Sequence, residues 1–190
     1  RSSDLDESRE LFIRLLASGP ALLNVWEDID FIDVPGKLIP EWLGVRNRPS
    51  ASAAHRYTID RHMVEVVTRL GRETPSGGRY DDRHYEALLL AGILHDIGKR
   101  PGVANHAAEG ARHATVVVER MGFDRDIVRW VTLLVREHLT LSEFATGRNP
   151  NDPNVGDDLA GRLDHNPVLL DMLFDLTRAD GSSLGATSGE

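Results

Sequence analysis

Apolar side chains recur at helical spacing in nearly every patterned segment of this chain. Within residues 11–16 they follow the three-and-four spacing of an amphipathic helix, which Gly19 and Pro20 end. A longer segment runs through residues 58–72, with Thr58 as a candidate N-cap and a continuous apolar face. Both patterns predict surface helices packed on a common core.

The remaining periodic segments are also helical. We expect helices over residues 21–28, 83–97, 106–121, 125–138 and 167–179. Turn-forming residues separate them, and we expect irregular structure at 31–45 (with at most short helical pieces), 74–82, 99–105 and, as an exposed loop, 147–158. Because no stretch alternates in the manner of a strand, the sequence predicts an all-α fold.

The amino-acid composition limits the kinds of chemistry that this chain can carry out. The formal net charge is −8 and no lysine-rich stretch occurs, which is unfavourable for binding DNA or RNA. Cysteine is absent, so disulfides, thiolate metal ligands and cysteine nucleophiles are excluded. Any metal must be bound by imidazole and carboxylate, which suit Mn, Fe, Co, Zn or Mg. With no apolar run of membrane-spanning length and no leader pattern, we expect a cytoplasmic protein without a membrane partner.

The length of 190 residues suits one compact domain with a genuine core. We expect residues 1–50 to form a helical lead-in and residues 51–190 to form the domain proper, the two packed as one unit. Because the chain begins at Arg1 rather than at a methionine, we interpret it as a fragment of a longer, multidomain enzyme.

His95 and Asp96 are the most informative residues of the sequence. They follow the apolar segment 87–94, so two residues of metal-ligand type stand where a buried helix ends. Adjacent helical residues point about 100° apart, so both can reach one site only where the helix frays. We expect Gly98 to end that helix. Lys99 then supplies a cation for a phosphate group.

Four further residues are candidate ligands: His62, His106, His138 and Asp180. Taken alone, His62 has polar neighbours and is more typical of a surface histidine, while His138 fits a cationic C-terminal cap equally well. His106 opens a helix, whose N-terminus also favours an anionic ligand. Asp180 ends a helix, where its negative charge is unfavourable unless a metal offsets it. Asp175, on the same helix, is expected to be a solvent-facing acid.

The order of these residues along the chain resembles the order of the ligand residues in the HD superfamily of metal-dependent phosphohydrolases. The most specific parts are residues 55–62 (HRYTIDRH) and 136–142 (REHLTLS). Three shorter stretches accompany them: 39–42 (IPEW), 94–99 (LHDIGK) and 176–180 (LTRAD). Together they resemble the central HD region of the bifunctional uridylyltransferase/uridylyl-removing enzymes of bacterial nitrogen regulation.

The resemblance implies an HD-domain helical bundle with a metal site at helix ends. It implies one or two divalent ions per chain, of Mn, Mg, Fe or Zn. The implied ligands are His62, His95, Asp96 and Asp180 for one ion and Asp96, His106 and His138 for a second. Catalytic roles are implied for Asp96 and Lys99, and substrate contacts for Lys99, His55 and Arg61.

The implied reaction is hydrolysis of the phosphodiester that joins UMP, or AMP, to a tyrosine of the PII signal protein, with a nucleoside monophosphate as product. In the family, a nucleotidyltransferase domain precedes this region and ACT domains follow it, and this chain has room for neither. Two alternatives stay open: an HD phosphohydrolase of free nucleotides and a non-catalytic HD regulatory domain. Gly98 stands where many relatives have alanine, and we expect that difference to be harmless.

Overall fold

The computed structural model describes residues 2–52, 56–149 and 151–184. Within these ranges the regular structure is helical, and only an isolated bridge between Pro49 and Thr58 has β geometry. The helices are α1 (Ser2–Leu16), α2 (Ala21–Phe31), α3 (Val34–Leu38), α4 (Ile59–Glu73), α5 (Asp82–Leu94), α6 (His106–Arg120), α7 (Arg125–Arg136), α8 (Thr140–Gly147), α9 (Pro153–Arg162) and α10 (Pro167–Ser182). A 3₁₀ helix, Pro40–Gly44, follows α3. The all-α prediction is confirmed.

Helix α5 lies at the centre of the bundle. Every residue from Ala87 to Leu94 is buried, as expected for a helix that is apolar all round. Helices α4 and α7 pack against it, α6 packs along α7, and α10 contacts α4, α5 and α7. Helix α1 packs against α4 and α5, and α2 packs against α4. Among the described residues, no helix combines the length and apolarity needed to cross a membrane.

Three of the helix ends that differ from the predicted ones concern a candidate ligand. Helix α5 ends at Leu94, so His95 and Asp96 lie in the turn that follows it. Helix α7 ends at Arg136, which places His138 in the turn before α8 rather than at a helix end. Helix α10 continues to Ser182, so Asp180 lies within its last turn.

Gly98 serves a different purpose from the expected one. Gly98 is not among the described glycines that have a positive φ, so it does not end the helix in the left-handed conformation. A Cβ atom at Gly98 would lie 2.3 Å from Gly110 N and 2.4 Å from His106 O. Glycine is present because the turn packs directly on the backbone of α6. An alanine at this position would require the turn or α6 to shift in this chain.

The expected loop over residues 147–158 is also partly wrong, because α9 begins at Pro153. The side chain of Asp152 accepts a hydrogen bond from Asn154 N, and Pro153 occupies the first helical position. Both residue types are common in turns and equally common at helix starts. The short helical pieces expected within residues 31–45 are present as α3 and the 3₁₀ helix.

Candidate metal centre

The structure brings all six candidate metal ligands together at one end of the bundle. They form two groups in the described part of the chain: His62, His95 and Asp180, and Asp96, His106 and His138. Within each group, one ligand atom of every residue lies within 4.8 Å of the others. The ligands come from distant parts of the sequence, since His62 lies on α4 and Asp180 lies on α10.

The two oxygens of Asp96 face different groups. Oδ1 lies 3.5 Å from His106 Nε2 and 3.5 Å from His138 Nε2. Oδ2 lies 3.6 Å from His95 Nε2, which is in turn 3.5 Å from Asp180 Oδ1. This arrangement allows one carboxylate to contact both groups, as a bridging ligand would.

Three of the histidine rings are oriented by backbone carbonyl groups. The acceptors are Ser183 O for His62 at 3.1 Å, Gly92 O for His95 at 2.8 Å and Val135 O for His138 at 2.7 Å. Because a carbonyl only accepts, Nδ1 carries the proton in each ring. This leaves Nε2 as the atom available to a metal, in the tautomer that metal-ligating histidines commonly adopt. In His62 that Nε2 lies 2.7 Å from Asp180 Oδ1.

Burial of the donor atoms tests whether a metal fits. His62 and His138 are 1% exposed and His95 is fully buried, so the expectation of a surface position for His62 taken alone is wrong. The Nε2 atoms of His95, His106 and His138 are buried without a hydrogen-bond partner. Leaving one such atom unpaired costs about 1–3 kcal/mol. Three of them beside two carboxylates suit a bound divalent cation with nitrogen and oxygen ligands.

The charges of the site agree with this interpretation. Burial opposes ionisation of Asp96, but His95, His106 and His138 hold its pKa well below the ordinary value. Burial also opposes ionisation of Asp180, whose pKa is nevertheless lowered by His95 and His62. Burial lowers the pKa of His95, yet Asp96 and Asp180 raise it to about 9. The carboxylates are thus ionised at neutral pH, and a bound cation would replace a proton.

A cavity of about 230 Å³ opens beside the ligands. Asp96, His106, His138 and Asp180 line it, together with Lys99, whose Nζ lies 3.4 Å from Asp96 Oδ2. A larger groove of about 930 Å³ lies along α6 and α7 and contains none of the ligands. We therefore take the smaller cavity as the candidate active site, because the titratable groups face it.

Of the two other expected substrate contacts, Arg61 is not among the residues that line this cavity. The guanidinium of Arg61 hydrogen-bonds to Glu65 at 3.0 Å and to Glu27 at 2.6 Å, outside the cavity lining. His55 lies outside the described residues. Lys99 is therefore the only one of the three that the described structure places beside the ligands.

Asp175 is a residue for which the sequence-based expectation is wrong. It is 2% exposed rather than solvent-facing, and it accepts hydrogen bonds from Tyr80 Oη at 2.6 Å and from Arg79. Its position three residues after Met172 and four before Ala179, both buried, indicates the inner face of α10. The contact ties α10 to the loop that precedes α5.

Glu137 also escaped the sequence analysis, although it precedes a ligand. It is 6% exposed and accepts a hydrogen bond from Thr140 Oγ1 at 2.5 Å. Arg136 and Arg162 flank the same carboxylate, at 3.1 and 3.4 Å. Glu137 thereby fixes the turn that holds His138, a role that only its place in the most specific motif could have suggested.

Comparison with known proteins identifies relatives of this chain. No protein-family model matches it. It is 37% identical over 180 residues to the bifunctional uridylyltransferase/uridylyl-removing enzyme of Streptomyces coelicolor, covering 94% of this chain and 21% of that enzyme. The Mycobacterium tuberculosis enzyme is 34% identical over 179 residues, with the same coverage, and the Haemophilus influenzae enzyme 29% over 198 residues, 98% of this chain and 22% of that enzyme.

The chain thus spans about a fifth of the length of the curated relatives it matches. The match extends over nearly all of its own residues. The sequence motifs and these relatives point the same way: along nearly its whole length, the chain is related to one region of the bifunctional uridylyltransferase/uridylyl-removing enzymes.

Proposed function

We propose that this chain is a metal-dependent phosphodiester hydrolase that removes UMP, or AMP, from a nucleotidylated tyrosine of the PII signal protein. One observation carries the proposal: two groups of metal-type ligands meet at Asp96 beside a cavity that Lys99 lines. The relatives' name covers two activities, a transferase and a removing activity. A site rich in imidazole suits water activation by a transition metal and therefore favours the hydrolytic one.

The proposed ligands follow from the geometry. His62, His95 and Asp180 would hold one ion together with Asp96 Oδ2, and His106 and His138 would hold a second together with Asp96 Oδ1; Mn, Mg, Fe or Zn are the candidate ions. When bound, such ions acidify water and neutralise charge that gathers on the phosphoryl oxygens. The three Nδ1 to carbonyl hydrogen bonds keep the rings fixed while substrate binds and product leaves.

Lys99 is the proposed phosphate-binding residue of the chain itself. Its ammonium group is partly exposed at the cavity wall, where it can leave Asp96 Oδ2 and meet a phosphoryl oxygen. The leaving tyrosinate needs little protonation, because the pKa of a phenol is about 10. In this proposal Asp96 and Lys99 are the catalytic residues, and the work of the protein is to position the phosphodiester and to stabilise charge.

The substrate class is part of the proposal. With a net charge of −8 and one lysine at the cavity, the chain suits a single phosphodiester on a protein loop better than a polyanion, which needs many neutralising contacts. His55 and Arg61 remain proposed substrate contacts, and Arg61 must first leave Glu27 and Glu65. The proposal further comprises a cytoplasmic reaction, a domain over residues 51–190 with residues 1–50 as its lead-in, and a nucleoside monophosphate product.

The testing experiment follows nucleoside monophosphate release from uridylylated and adenylylated PII in the presence of Mn²⁺ or Mg²⁺. Free dNTPs and RNA serve as alternative substrates, and the His95→Ala variant serves as the inactive control. We expect release from modified PII that is lost with the metal. Rapid cleavage of dNTPs with modified PII untouched would favour the free-nucleotide alternative. Stoichiometric metal binding without hydrolysis of any phosphodiester would favour the regulatory one.

A further inference from the structure

Thr177 lies one helical turn before Asp180 and on the same face of α10. The residue is partly buried and lines the cavity that also contains Lys99 and the ligands Asp96, His106 and His138. Nothing in the proposed metal coordination uses it. Its side chain is nevertheless placed where a substrate bound next to the ligands would contact α10.

The hydroxyl of Thr177 differs from those of the other threonines within the described helices. Most of them donate to the carbonyl four residues earlier, as a helical threonine commonly does. These bonds are Thr68 to Val64 O, Thr115 to Ala111 O and Thr132 to Val128 O, each 2.8 Å, and Thr146 to Ser142 O at 2.9 Å. Thr140, at the start of α8, donates to Glu137 instead. Thr177 Oγ1 is buried without any hydrogen-bond partner.

This unpaired hydroxyl shares a property with the candidate ligands. The buried side-chain atoms without a partner in the described part of the chain include the Nε2 atoms of His95, His106 and His138. Of these three, His106 and His138 line the cavity, and Thr177 Oγ1 is the only other unpartnered buried atom in the described part of the chain whose residue does so. Unpaired buried polar atoms destabilise a fold, so their concentration around one cavity indicates that a ligand completes them.

We propose that Thr177 Oγ1 donates a hydrogen bond to a non-bridging phosphoryl oxygen of the substrate, as a second donor beside Lys99. The inference rests on the proposed function, because it assigns a phosphodiester to this cavity. A hydroxyl donates one short, charge-assisted hydrogen bond to such an oxygen and adds no charge of its own. Thr177 is then a substrate-binding residue whose unpaired state in the free protein is relieved on binding.

The test compares Thr177→Val, which removes the hydroxyl at nearly constant shape, with Thr177→Ser, which keeps it. Thr68→Val is the matched control, because it makes the same change on α4 at a hydroxyl that its own helix already satisfies. Each protein is loaded with Mn²⁺, its metal content is measured, and its affinity for inorganic phosphate is determined by calorimetry. Thermal unfolding and hydrolysis of bis(4-nitrophenyl) phosphate and of nucleotidylated PII are measured in parallel.

We expect Thr177→Val to bind phosphate roughly tenfold more weakly, with unchanged metal content and an unfolding temperature no lower than that of the parent. Thr177→Ser should restore phosphate affinity, and Thr68→Val should leave it unchanged. A purely structural hydroxyl would give the opposite pattern, a less stable variant with normal phosphate affinity. Phosphate affinity of Thr177→Val equal to that of the parent overturns the proposal.

The two hypotheses fail in different ways. Hydrolysis of nucleotidylated PII at equal rates by the parent and by Thr177→Val defeats the role of Thr177 and leaves the proposed function intact. A parent protein that cleaves bis(4-nitrophenyl) phosphate but not modified PII defeats the proposed substrate. In that case the weaker phosphate binding of Thr177→Val still establishes the hydroxyl as a phosphoryl contact.

Discussion

Replacing Gly98 by alanine tests how the second group of ligands is positioned. The added Cβ would lie 2.3 Å from Gly110 N and 2.4 Å from His106 O, whereas ordinary contact begins at 3.4 Å. The turn and α6 must therefore move apart by about 1 Å. Both neighbours are backbone atoms, so no side-chain rotation can relieve the overlap.

The expected effect has a structural and a functional part. Overpacking of this kind costs about 1–3 kcal/mol of unfolding free energy. The separation also moves His106, whose Nε2 lies 3.5 Å from Asp96 Oδ1, while metal–ligand distances tolerate only about 0.2 Å. We expect affinity for the second ion to fall by about 10–100-fold, as for changes that misplace metal ligands. In the other group, His62 and Asp180 lie on α4 and α10, so we expect that group to keep its ion.

The assay is elemental analysis of metal per chain across a Mn²⁺ titration, combined with urea unfolding. Gly71→Ala is the matched control, because its Cβ would lie 3.0 Å from Gly19 N, another backbone contact, but away from the ligands. We expect Gly71→Ala to be destabilised with normal metal content and Gly98→Ala to retain one ion. Wild-type affinity for two ions in Gly98→Ala would show that the turn relaxes without moving His106, and would refute the reasoning.

Three further predictions concern single residues. His95→Ala or Asp96→Ala should remove metal and hydrolysis together, and elemental analysis showing full metal in either variant contradicts the ligand assignment. His106→Ala should leave about one ion bound and lower turnover by orders of magnitude, since half the charge at the phosphoryl group is lost; unchanged turnover contradicts this. Asp175→Ala should lower the urea-derived unfolding free energy by about 1–3 kcal/mol, and Tyr80→Phe by less, because buried hydrogen bonds are lost.

The helices could be predicted from the sequence because their apolar faces repeat over many residues. Their ends could not, because local signals at an end compete with tertiary contacts. The predicted end of α5 at Ile97 is an example: the turn over residues 95–98 departs from the helix to pack on the backbone of α6. The start of α9 is another, since Asp152 and Pro153 form turns and helix starts equally well.

The candidate site was predictable to a different extent. The buried helix ending in His95 and Asp96 indicates a metal site by itself, but the contact between His62 and Asp180 joins residues 118 apart in sequence. No spacing rule predicts such a pair, and only the family resemblance suggested it. The burial of Asp175 could have been deduced from the apolar positions around it, whereas Thr177 becomes conspicuous only when its missing hydrogen bond is seen.

The position of the site at helix ends has a common physical reason. Gly92 O and Val135 O lie in the last turns of α5 and α7, where carbonyls lack their usual partner within the helix. These carbonyls accept the Nδ1 protons of His95 and His138, so the helix ends themselves select the metal-binding tautomer. The C-terminal ends of α5, α7 and α10 also carry partial negative charge, which stabilises a cation placed between them. The same three ends therefore orient the ligands and favour the ion that those ligands would bind.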